Sequence, residues 1–399
     1  MELSKTDFVF FFTVLLTTFL CANGQTWSGY RTAYETIYNH YYNNGTSLTD
    51  IIPINNQSNP LAVQMGMTLN SLNGFDAVLG QIDISGSMKL KWTDEVIFTT
   101  YSLSVNQVDA VLIDYDKAWS PSLVLVNAVD TVKNIGDTTY KLLYNPTDGT
   151  VSWEPRVLLR GSCTPDVTYY PFDRQVCDFT YTAWGYMSEE IRLQIMTNEW
   201  DLSAYEENGI WTVITTTSEI FQDGGSDYIK FQITIQRQPL YFTFNVALPI
   251  LLLGLLNGFV FLLPAESGER VGFCITCFLA FVVLMQTTMQ FLPQIASPMS
   301  LLCVYVFLMM CFSVFINIVT VLMLRVYHKP EKEKVPKWMQ TITRVIKCQI
   351  CRCKDRDKPF EEVDWPSVAR LLDTFFFIAF IAAQSALTFF FLLPLGTRY

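Results

Sequence analysis

The chain has 399 residues, of which 50% are hydrophobic and 16% are charged, and its formal net charge is −10. Such a hydrophobic share is high for a chain that is soluble throughout. The acidic balance disfavours nucleic acid as a partner, because neutralising phosphates requires a basic surface. The chain has only two histidines, His40 and His328. We therefore expect no histidine-based metal site, no cofactor and no enzymatic activity.

The first 24 residues have the pattern of a secretory signal peptide. An apolar run over residues 8–20 precedes the small-residue stretch 22–24, which suits cleavage before Gln25. An uncleaved anchor helix is the alternative, but the run is short for crossing a membrane. Secretion would place the following segment, residues 25–238, outside the cell.

Residues 25–238 have the pattern of a β-strand domain. Apolar and polar side chains alternate with period two over residues 88–92 and 229–236. Turn dipeptides, such as the Asp-Gly pair at 148–149, separate runs of this kind. Many short strands over about 200 residues predict an antiparallel β-sandwich. A short helix over residues 27–42 is expected before the first strand.

The charge, sequons and cysteines of the same segment agree with secretion. It holds 12 Lys or Arg against 25 Asp or Glu, for a net charge of −13. Asn44 and Asn56 each begin an N-x-Ser/Thr sequon and are candidate glycosylation sites. The segment contains two cysteines, Cys163 and Cys177. An even number in an oxidising compartment predicts a disulfide between them.

Three uncharged stretches follow, and they predict four membrane spans. They cover residues 238–265, 271–324 and 374–397, and the middle stretch is long enough for two crossings of about 20 residues each. The predicted spans are residues 241–263, 270–291, 299–325 and 367–395. Residues 325–373 hold 12 Lys or Arg against 8 Asp or Glu, and this surplus places the segment 326–366 in the cytoplasm. The C-terminus would then lie outside.

The cytoplasmic segment has two features of its own. Cys348, Cys351 and Cys353 form a C-x-x-C-x-C cluster without a fourth zinc ligand nearby. We expect reduced thiols there, with reversible palmitoylation as the alternative. Apolar residues at helical spacing among basic ones suit a helix at the membrane surface or against another chain. These residues are Trp338, Ile342, Val345 and Ile346.

The most distinctive motif of the sequence lies between the two cysteines of the outer segment. Thirteen residues separate Cys163 from Cys177, and they include the run Tyr-Pro-Phe-Asp at 170–173. This loop resembles that of the Cys-loop receptors, the pentameric ligand-gated ion channels. Further similar motifs occur in the family's order: Trp92-Thr93-Asp94, Trp119-Ser120-Pro121, residues 236–242, Asp364-Trp365 and Val368-Ala369. The resemblance covers residues 25–395 and is greatest for the nicotinic-like cationic branch.

This resemblance implies a fold and an assembly. An extracellular antiparallel β-sandwich would precede a four-helix transmembrane bundle, and five such subunits would surround a pore lined by each second span. The implied partners are four further copies of the same or a related chain, a small-molecule agonist, permeating cations and membrane lipids. The plasma membrane is the implied location, with postsynaptic membranes as one candidate. Trp92 and Trp153 would belong to the sandwich core.

The second predicted span carries a stripe that is polar at both ends and apolar in the middle. On a helix of 3.6 residues per turn, one face carries Gly272, Thr276, Leu279, Val283, Gln286 or Thr287, and Gln290. Rings of Leu279 and Val283 would close a water-filled pore by dewetting. A packed helix with a few tolerated polar side chains is the alternative, and the family resemblance favours the pore.

A glutamate just before this span bears on ion selectivity. The chain has Gly268-Glu269 where anion-selective relatives carry a Pro-Ala pair before the corresponding arginine. Five copies of Glu269 at the inner mouth would attract cations and repel anions. We therefore expect a cation channel. A non-conducting or accessory membrane-anchored binding subunit of the same fold is the alternative, because it would need neither the stripe nor Glu269.

The agonist site of this family lies between subunits, in a box of aromatic side chains that often holds an ammonium group by cation–π contact. Trp184, seven residues after Cys177, matches the central tryptophan. Val126 stands where the family has a tyrosine. Thr99 stands where the family has a second tryptophan, with Phe98 beside it.

The hairpin from Phe221 to Tyr228 corresponds to the capping loop of that site, but it lacks adjacent cysteines. Both aromatic residues are candidate walls of the site, and packing within the sandwich is the alternative role for them. Because several box positions differ from the family pattern, acetylcholine is disfavoured as the agonist. An unidentified small ligand, for example another amine, is expected instead.

The resemblance also implies residues that couple ligand binding to the pore. Arg237, just before the first span, resembles the family's coupling arginine, and Asp173 is its implied partner. The family's second carboxylate falls on Ala77, with Asp76 beside it. The apolar contact would be formed by Phe172, Pro171 and the linker Phe291–Pro298. The alternative is that Arg237 only anchors the chain at the membrane surface.

Overall fold

The computed structural model describes residues 31–32, 34–37, 39–40, 48–101, 110–132, 134–136, 139–293, 299–330, 334–341, 343 and 364–396. Several predicted features lie outside these residues, namely the signal peptide, Asn44, the three cytoplasmic cysteines, Ile342, Val345, Ile346 and the linker residues 294–298. The chain divides into two compact units. The first reaches Ile235 without the loops 77–79 and 165–174, and the second contains those loops and everything from Gln236 onward.

The first unit is built of strands. They are β1 (Leu61–Asp76), β2 (Gln81–Thr93), β3 (Val111–Ile113), β4 (Leu123–Leu125), β5 (Leu142–Asn145), β6 (Thr150–Trp153), β7 (Arg156–Ser162), β8 (Arg174–Ala183), β9 (Ile191–Ile195), β10 (Trp211–Asp223) and β11 (Ser226–Arg237). In the described residues they form a seven-stranded sheet in the order β3-β5-β6-β2-β1-β9, with β7 also paired to β2. A four-stranded sheet has the order β10-β11-β8-β4. β1 and β9 run parallel, so the predicted antiparallel fold includes a parallel pairing.

The period-two pattern of the sequence explains how the strands bury their side chains. Successive side chains of a strand point to opposite faces. In β11 every second residue from Asp227 to Arg237 is buried, including Ile229 and Phe231, while the residues between them are partly exposed. Residues of both sheets belong to one hydrophobic core. The predicted β-sheet domain is confirmed.

The cysteines and tryptophans of the first unit take the predicted places. Cys163 and Cys177 form a disulfide with an S–S distance of 2.02 Å. Trp92 and Trp153 are buried in the core. The Trp92 ring meets Trp119 edge to face with a centroid distance of 5.8 Å, one of the preferred arrangements of aromatic pairs.

Short helices accompany the sheets. The described residues between 31 and 40 are helical, in agreement with the predicted helix over 27–42. A further helix, α1 (Glu95–Tyr101), follows β2 directly. It begins at Asp94, whose Oδ1 accepts the backbone N–H of Ile97 at 3.0 Å. An aspartate in this N-cap position satisfies a helix donor that would otherwise lack a partner.

Four long apolar helices make up most of the described part of the second unit. They are α2 (Leu240–Leu262), α3 (Arg270–Met289), α4 (Leu301–Tyr327) and α5 (Trp365–Gly396). Each is long and apolar enough to cross a membrane, which confirms the predicted number of spans. The first is irregular, because it contains a π-helical turn at Thr243–Ala247 and ends in a 3₁₀ turn at Phe259–Leu262.

Aromatic rings and glycines pack these helices together. Phe261 of α2 stacks on Phe380 of α5 at a centroid distance of 5.3 Å, and Phe312 of α4 meets Phe380 edge-on at 5.1 Å. A Cβ atom at Gly258 would lie 2.9 Å from the side-chain Cδ1 of Ile381 of α5, so the isoleucine packs into the space that the glycine leaves. Close packing of this kind holds helices together where surrounding lipid removes the hydrophobic driving force.

Candidate functional site

Trp184, the central residue of the predicted agonist site, lies at one end of the four-stranded sheet. It follows β8 directly, its backbone N–H donates to the carbonyl of Ser122 at 2.8 Å, and its side chain is 63% exposed. The hydroxyl of Thr182 donates to the carbonyl of Asp227 at 2.9 Å, which ties the end of β8 to the start of β11. Trp184 is therefore at the same end of the sheet as the β10–β11 hairpin.

The hairpin brings two further predicted aromatic residues to this end. Phe221 in β10 and Tyr228 in β11 stack ring on ring, with centroids 5.2 Å apart and planes 10° apart. Gly224 and Gly225 both have positive φ and form the turn between the strands. Phe221 is 43% exposed, so part of the stack is accessible to a ligand.

Two serine hydroxyls that were not predicted for the site hold the tip of the hairpin. Ser188 donates from its backbone N–H and from Oγ to the carbonyl of Gly225, at 2.9 and 3.0 Å. The hydroxyl of Ser226 donates to the carbonyl of Tyr186 at 3.3 Å. Isolated serines form no recognisable pattern in a sequence. The missing adjacent cysteines were the one indication that this tip needed another support.

Val126 lies apart from this aromatic cluster. Its backbone N–H donates to the carbonyl of Thr180 at 2.8 Å. Thr180 precedes Trp184 by four residues, which corresponds to about 13 Å along a strand. Within the single chain, the structure does not bring Val126 to the end of the sheet that carries Trp184.

Phe98 and Thr99 lie on α1, beside the seven-stranded sheet. A Cβ atom at Gly149 would lie 2.7 Å from the Cβ of Phe98, so the half-buried phenylalanine packs where only glycine leaves room. The Thr99 hydroxyl donates to the carbonyl of Glu95 at 2.9 Å, within the helix. These two residues therefore belong to a different surface of the chain from Trp184.

One of the two predicted sequons is described. Asn56 is exposed in the segment before β1, and its Oδ1 accepts the backbone N–H of Ser58 at 3.1 Å. This turn presents the asparagine to solvent, as glycosylation requires.

The predicted coupling pair is formed within the second unit. Arg237 donates from Nε and Nη2 to the two carboxylate oxygens of Asp173, at 2.7 and 3.1 Å, and its backbone N–H donates to the Asp173 carbonyl at 3.1 Å. The side chains are only 8% and 0% exposed. Two-point pairing of this kind is the strongest that arginine makes with a carboxylate.

Aromatic rings surround this arginine. The guanidinium carbon lies 5.0 Å from the centroid of Tyr170 and 5.1 Å from that of Phe242, and the two rings meet edge to face at 5.5 Å. Both distances suit cation–π contact. Burial raises the pKa of Tyr170, so the hydroxyl stays neutral beside the pair. Tyr170 and Phe242, which contact the arginine, were not among the residues predicted for coupling.

The loop 165–174 also meets the ends of other helices. The Phe242 ring lies 6.4 Å from that of Phe291, just beyond α3, and the backbone N–H of Leu301 donates to the carbonyl of Thr168 at 3.0 Å. Pro171 is buried and Phe172 is half-buried. The loop therefore touches the starts of α2 and α4, and Phe242 of α2 in turn contacts Phe291 just beyond α3.

Asp76 is the last residue of β1 and belongs to the first unit. Its side chain is exposed, and its backbone carbonyl accepts the N–H of Gly80 at 2.9 Å. Ala77, where the family's second carboxylate falls, is buried. A role for Asp76 in coupling stays a prediction.

The stripe predicted on α3 is exposed along its whole length in the single chain. The exposed residues are Glu269, Gly272, Thr276, Leu279, Val283, Gln286, Thr287 and Gln290. The opposite face packs against the unit and carries Arg270, Cys274, Cys277, Phe281 and Thr288. One face of the helix thus packs within the unit, and the other is available to water or to further chains.

Comparison with known proteins decides the family. Residues 34–239 match the model of the neurotransmitter-gated ion-channel ligand binding domain, and residues 246–359 match that of the neurotransmitter-gated ion-channel transmembrane region. The chain belongs to this family, the Cys-loop pentameric ligand-gated ion channels. The family is not enzymatic, and its members form pentamers and bind neurotransmitters. The predicted family is confirmed.

The similar relatives are neuronal acetylcholine receptor subunits. Alpha-3 of Rattus norvegicus is 29% identical over 304 residues, which are 73% of this chain and 59% of the relative. Alpha-6 of Homo sapiens is 28% identical over 305 residues, covering 73% and 60%. Alpha-2 of Gallus gallus is 29% identical over 306 residues, covering 72% and 56%. The chain therefore matches less than two thirds of the length of these relatives.

Proposed function

We propose that this chain is a subunit of a pentameric ligand-gated cation channel of the plasma membrane. A signal peptide is removed, residues 25–238 and the C-terminus lie outside, and residues 326–366 lie in the cytoplasm. The observation that carries the proposal is α3, which packs one face within its unit and exposes a polar–apolar–polar face. Four further copies of the same or a related chain enclose that face around a water-filled pore.

The residues of the exposed face have different roles in the pore. Rings of Leu279 and Val283 form the hydrophobic constriction that closes it by dewetting. Thr276 donates its hydroxyl proton to the carbonyl of Gly272 at 2.8 Å, so the lone pairs of its oxygen face the lumen. These lone pairs solvate cations on the inner side of the constriction.

The agonist in this proposal is a small amine. The exposed Trp184 ring offers its negative face to a cation, beside the stacked pair of Phe221 and Tyr228. A neighbouring subunit contributes the surface of α1, with Phe98 and Thr99, whereas Val126 lies away from Trp184 and is left out of the proposed site. The relatives are named as acetylcholine receptor subunits, but the altered box positions and the absent cysteine pair favour a different amine.

Arg237 and Asp173 couple agonist binding to opening of the pore. Arg237 ends β11, the strand that begins at the agonist hairpin, and Asp173 lies in the loop that touches Phe242 and Leu301. A shift of β11 therefore moves the loop that contacts the helix ends on either side of α3. Because the pair is buried and joined by two hydrogen bonds, a displacement of Arg237 also displaces Asp173.

Recording currents from cells that express the full chain tests this function. Small amines, small acids and pH steps are applied in turn, and we expect an amine-evoked current whose reversal potential follows the sodium gradient. Glu269→Gln should move the reversal potential towards that of chloride, because it removes the charge of the ring.

Glu266→Gln is the matched control for this experiment. Glu266 Oε1 accepts the hydroxyl of Tyr327 at 2.7 Å, so its carboxylate is engaged with α4 and its removal should leave selectivity unchanged. An anion-selective current in the wild-type chain would contradict the proposal. Surface expression without any current would instead favour a non-conducting or accessory binding subunit.

A further inference from the structure

An ion pair inside the second unit joins the first residue of α3 to α5. Arg270 donates from Nη1 and Nη2 to the two carboxylate oxygens of Asp373, at 3.0 and 2.7 Å. Its Nε donates to the carbonyl of Leu263 at 2.6 Å, and Nη2 also donates to that of Phe261 at 3.4 Å. The two charged side chains are 4% and 9% exposed. The guanidinium is therefore held by the chain itself.

Arg270 and its neighbour Glu269 lie on different sides of α3. A helix turns about 100° per residue, so Arg270 lies about 160° from Gly272, on the face with buried Cys274 and Phe281. Glu269 lies about 60° from Gly272 by the same count and is exposed. The fold thus separates two adjacent opposite charges, with the cation on the packed face and the anion on the side of the exposed stripe.

The two glutamates before α3 also differ in their contacts. Glu266 is bound to the hydroxyl of Tyr327. For Glu269, the hydrogen bonds found in the described part of the chain involve its backbone, with the N–H directed to Ser267 Oγ at 3.5 Å and the carbonyl accepting from Phe273 at 3.0 Å. The carboxylate of Glu269 is therefore exposed at this end of α3 without a contact to another helix among the described residues.

We propose that Asp373 is a positioning residue for ion selectivity, because it holds and neutralises Arg270 on the packed face and leaves Glu269 to set the charge of the inner mouth. The inference rests on the cation-channel function proposed above. Glu269, Arg270 and Asp373 together carry a charge of −1 per subunit. Without Asp373, the charges of Glu269 and Arg270 cancel. A paired charge also acts over a shorter range than a single one, because its partner opposes it.

The test is the reversal potential in a sodium chloride dilution gradient, measured for the wild-type full chain and for Asp373→Asn. A wild type without cation-selective current would refute the proposed function and not this inference. In Asp373→Asn we expect a higher relative chloride permeability and a fall of about twofold in inward single-channel conductance, smaller in strong salt because of screening. A wild-type reversal potential in surface-expressed Asp373→Asn would overturn the inference.

Asp364→Asn is the matched control. Asp364 is an exposed carboxylate immediately before α5, so its substitution removes the same charge close to the same helix. It should leave both readouts unchanged. A shift equal to that of Asp373→Asn would mean that total charge, and not the pairing of Arg270, sets selectivity, and would overturn the inference.

Variants at Arg270 separate positioning from packing. Arg270→Gln leaves Asp373 unpaired and gives −2 per subunit, so it should raise cation conductance, whereas the double variant R270Q/D373N keeps the charge of −1 on Glu269 and should keep wild-type selectivity and conductance. Recovery in the double variant would not follow from damaged packing alone. If Asp373→Asn does not reach the surface, these two variants decide the question. Wild-type conductance in Arg270→Gln, or reduced cation selectivity in the double variant, would overturn the inference.

Discussion

Ion pairs differ between the two units in how far they are removed from water. In the first unit, Lys89 and Asp201 meet at 2.6 Å with side chains that are 38% and 37% exposed. In the second unit, Arg237 and Asp173 meet at 2.7 Å with side chains that are 8% and 0% exposed. Both pairs join a basic side chain to a carboxylate at a similar distance, but the first pair is partly exposed to water and the second is buried.

Burial determines which of these charges the fold depends on. An exposed pair contributes about 0–1 kcal/mol, because water solvates either partner when the other is removed. Breaking a buried pair by removing one partner costs about 3–5 kcal/mol, because the remaining charge is left uncompensated in an apolar site. The sheet unit should therefore tolerate the loss of a surface charge, whereas the helical unit needs complete pairs.

Arg237→Gln should give the largest effect. It leaves the fully buried carboxylate of Asp173 without its cation, so we expect the free energy of unfolding to fall by about 3–5 kcal/mol. Thermal melting of the detergent-solubilised protein, with surface labelling in cells, measures this loss. The double variant R237Q/D173N removes both charges and should recover part of it. Melting of Arg237→Gln at the wild-type temperature would contradict the argument from burial.

Asp173→Asn should be milder than Arg237→Gln. The guanidinium keeps the rings of Tyr170 and Phe242 at 5.0 and 5.1 Å, and desolvated cation–π contacts are worth about 2 kcal/mol. We expect a loss of about 1–3 kcal/mol in the same melting experiment. The reverse order of the two variants would show that the aromatic rings do not support the arginine.

Local patterns explain what could be predicted from the sequence. Alternation over residues 229–236 predicted a strand because a strand buries every second side chain, and uncharged runs predicted spans because membranes exclude charge. The aromatic trio at the agonist end and the pair of Arg237 with Asp173, 64 residues apart, were implied by family resemblance alone. Periodicity carries no information about such distant partners.

Contacts between distant residues explain what could not be predicted. Asp373 lies 103 residues from Arg270, and in the sequence it marked only the edge of an uncharged stretch. A charge so close to a span was the signal that it needed a partner. The helix α1 was not predicted, although Asp94 followed by Glu95 is a helix-start pattern.

The smallest effect is expected where water reaches the pair. Hydrogen bonding from Lys89 is the main cause that lowers the pKa of Asp201 below its ordinary range. A carboxyl with a lowered folded-state pKa stabilises the fold above its unfolded pKa of about 4, and this contribution is lost as pH falls through the folded value. Lys89→Gln should therefore cost less than 1 kcal/mol at neutral pH, and less still in strong salt or acid.

Melting curves of Lys89→Gln and wild type, at neutral and acidic pH and in low and high salt, measure this difference. Lys91→Gln is the control, because Lys91 is an exposed lysine on the same strand for which no ion pair is found among the described residues. If Lys89→Gln lowered the free energy of unfolding as much as Arg237→Gln, the two kinds of ion pair would be equally important for stability. Burial would then not explain why the fold depends on some ion pairs and tolerates the loss of others.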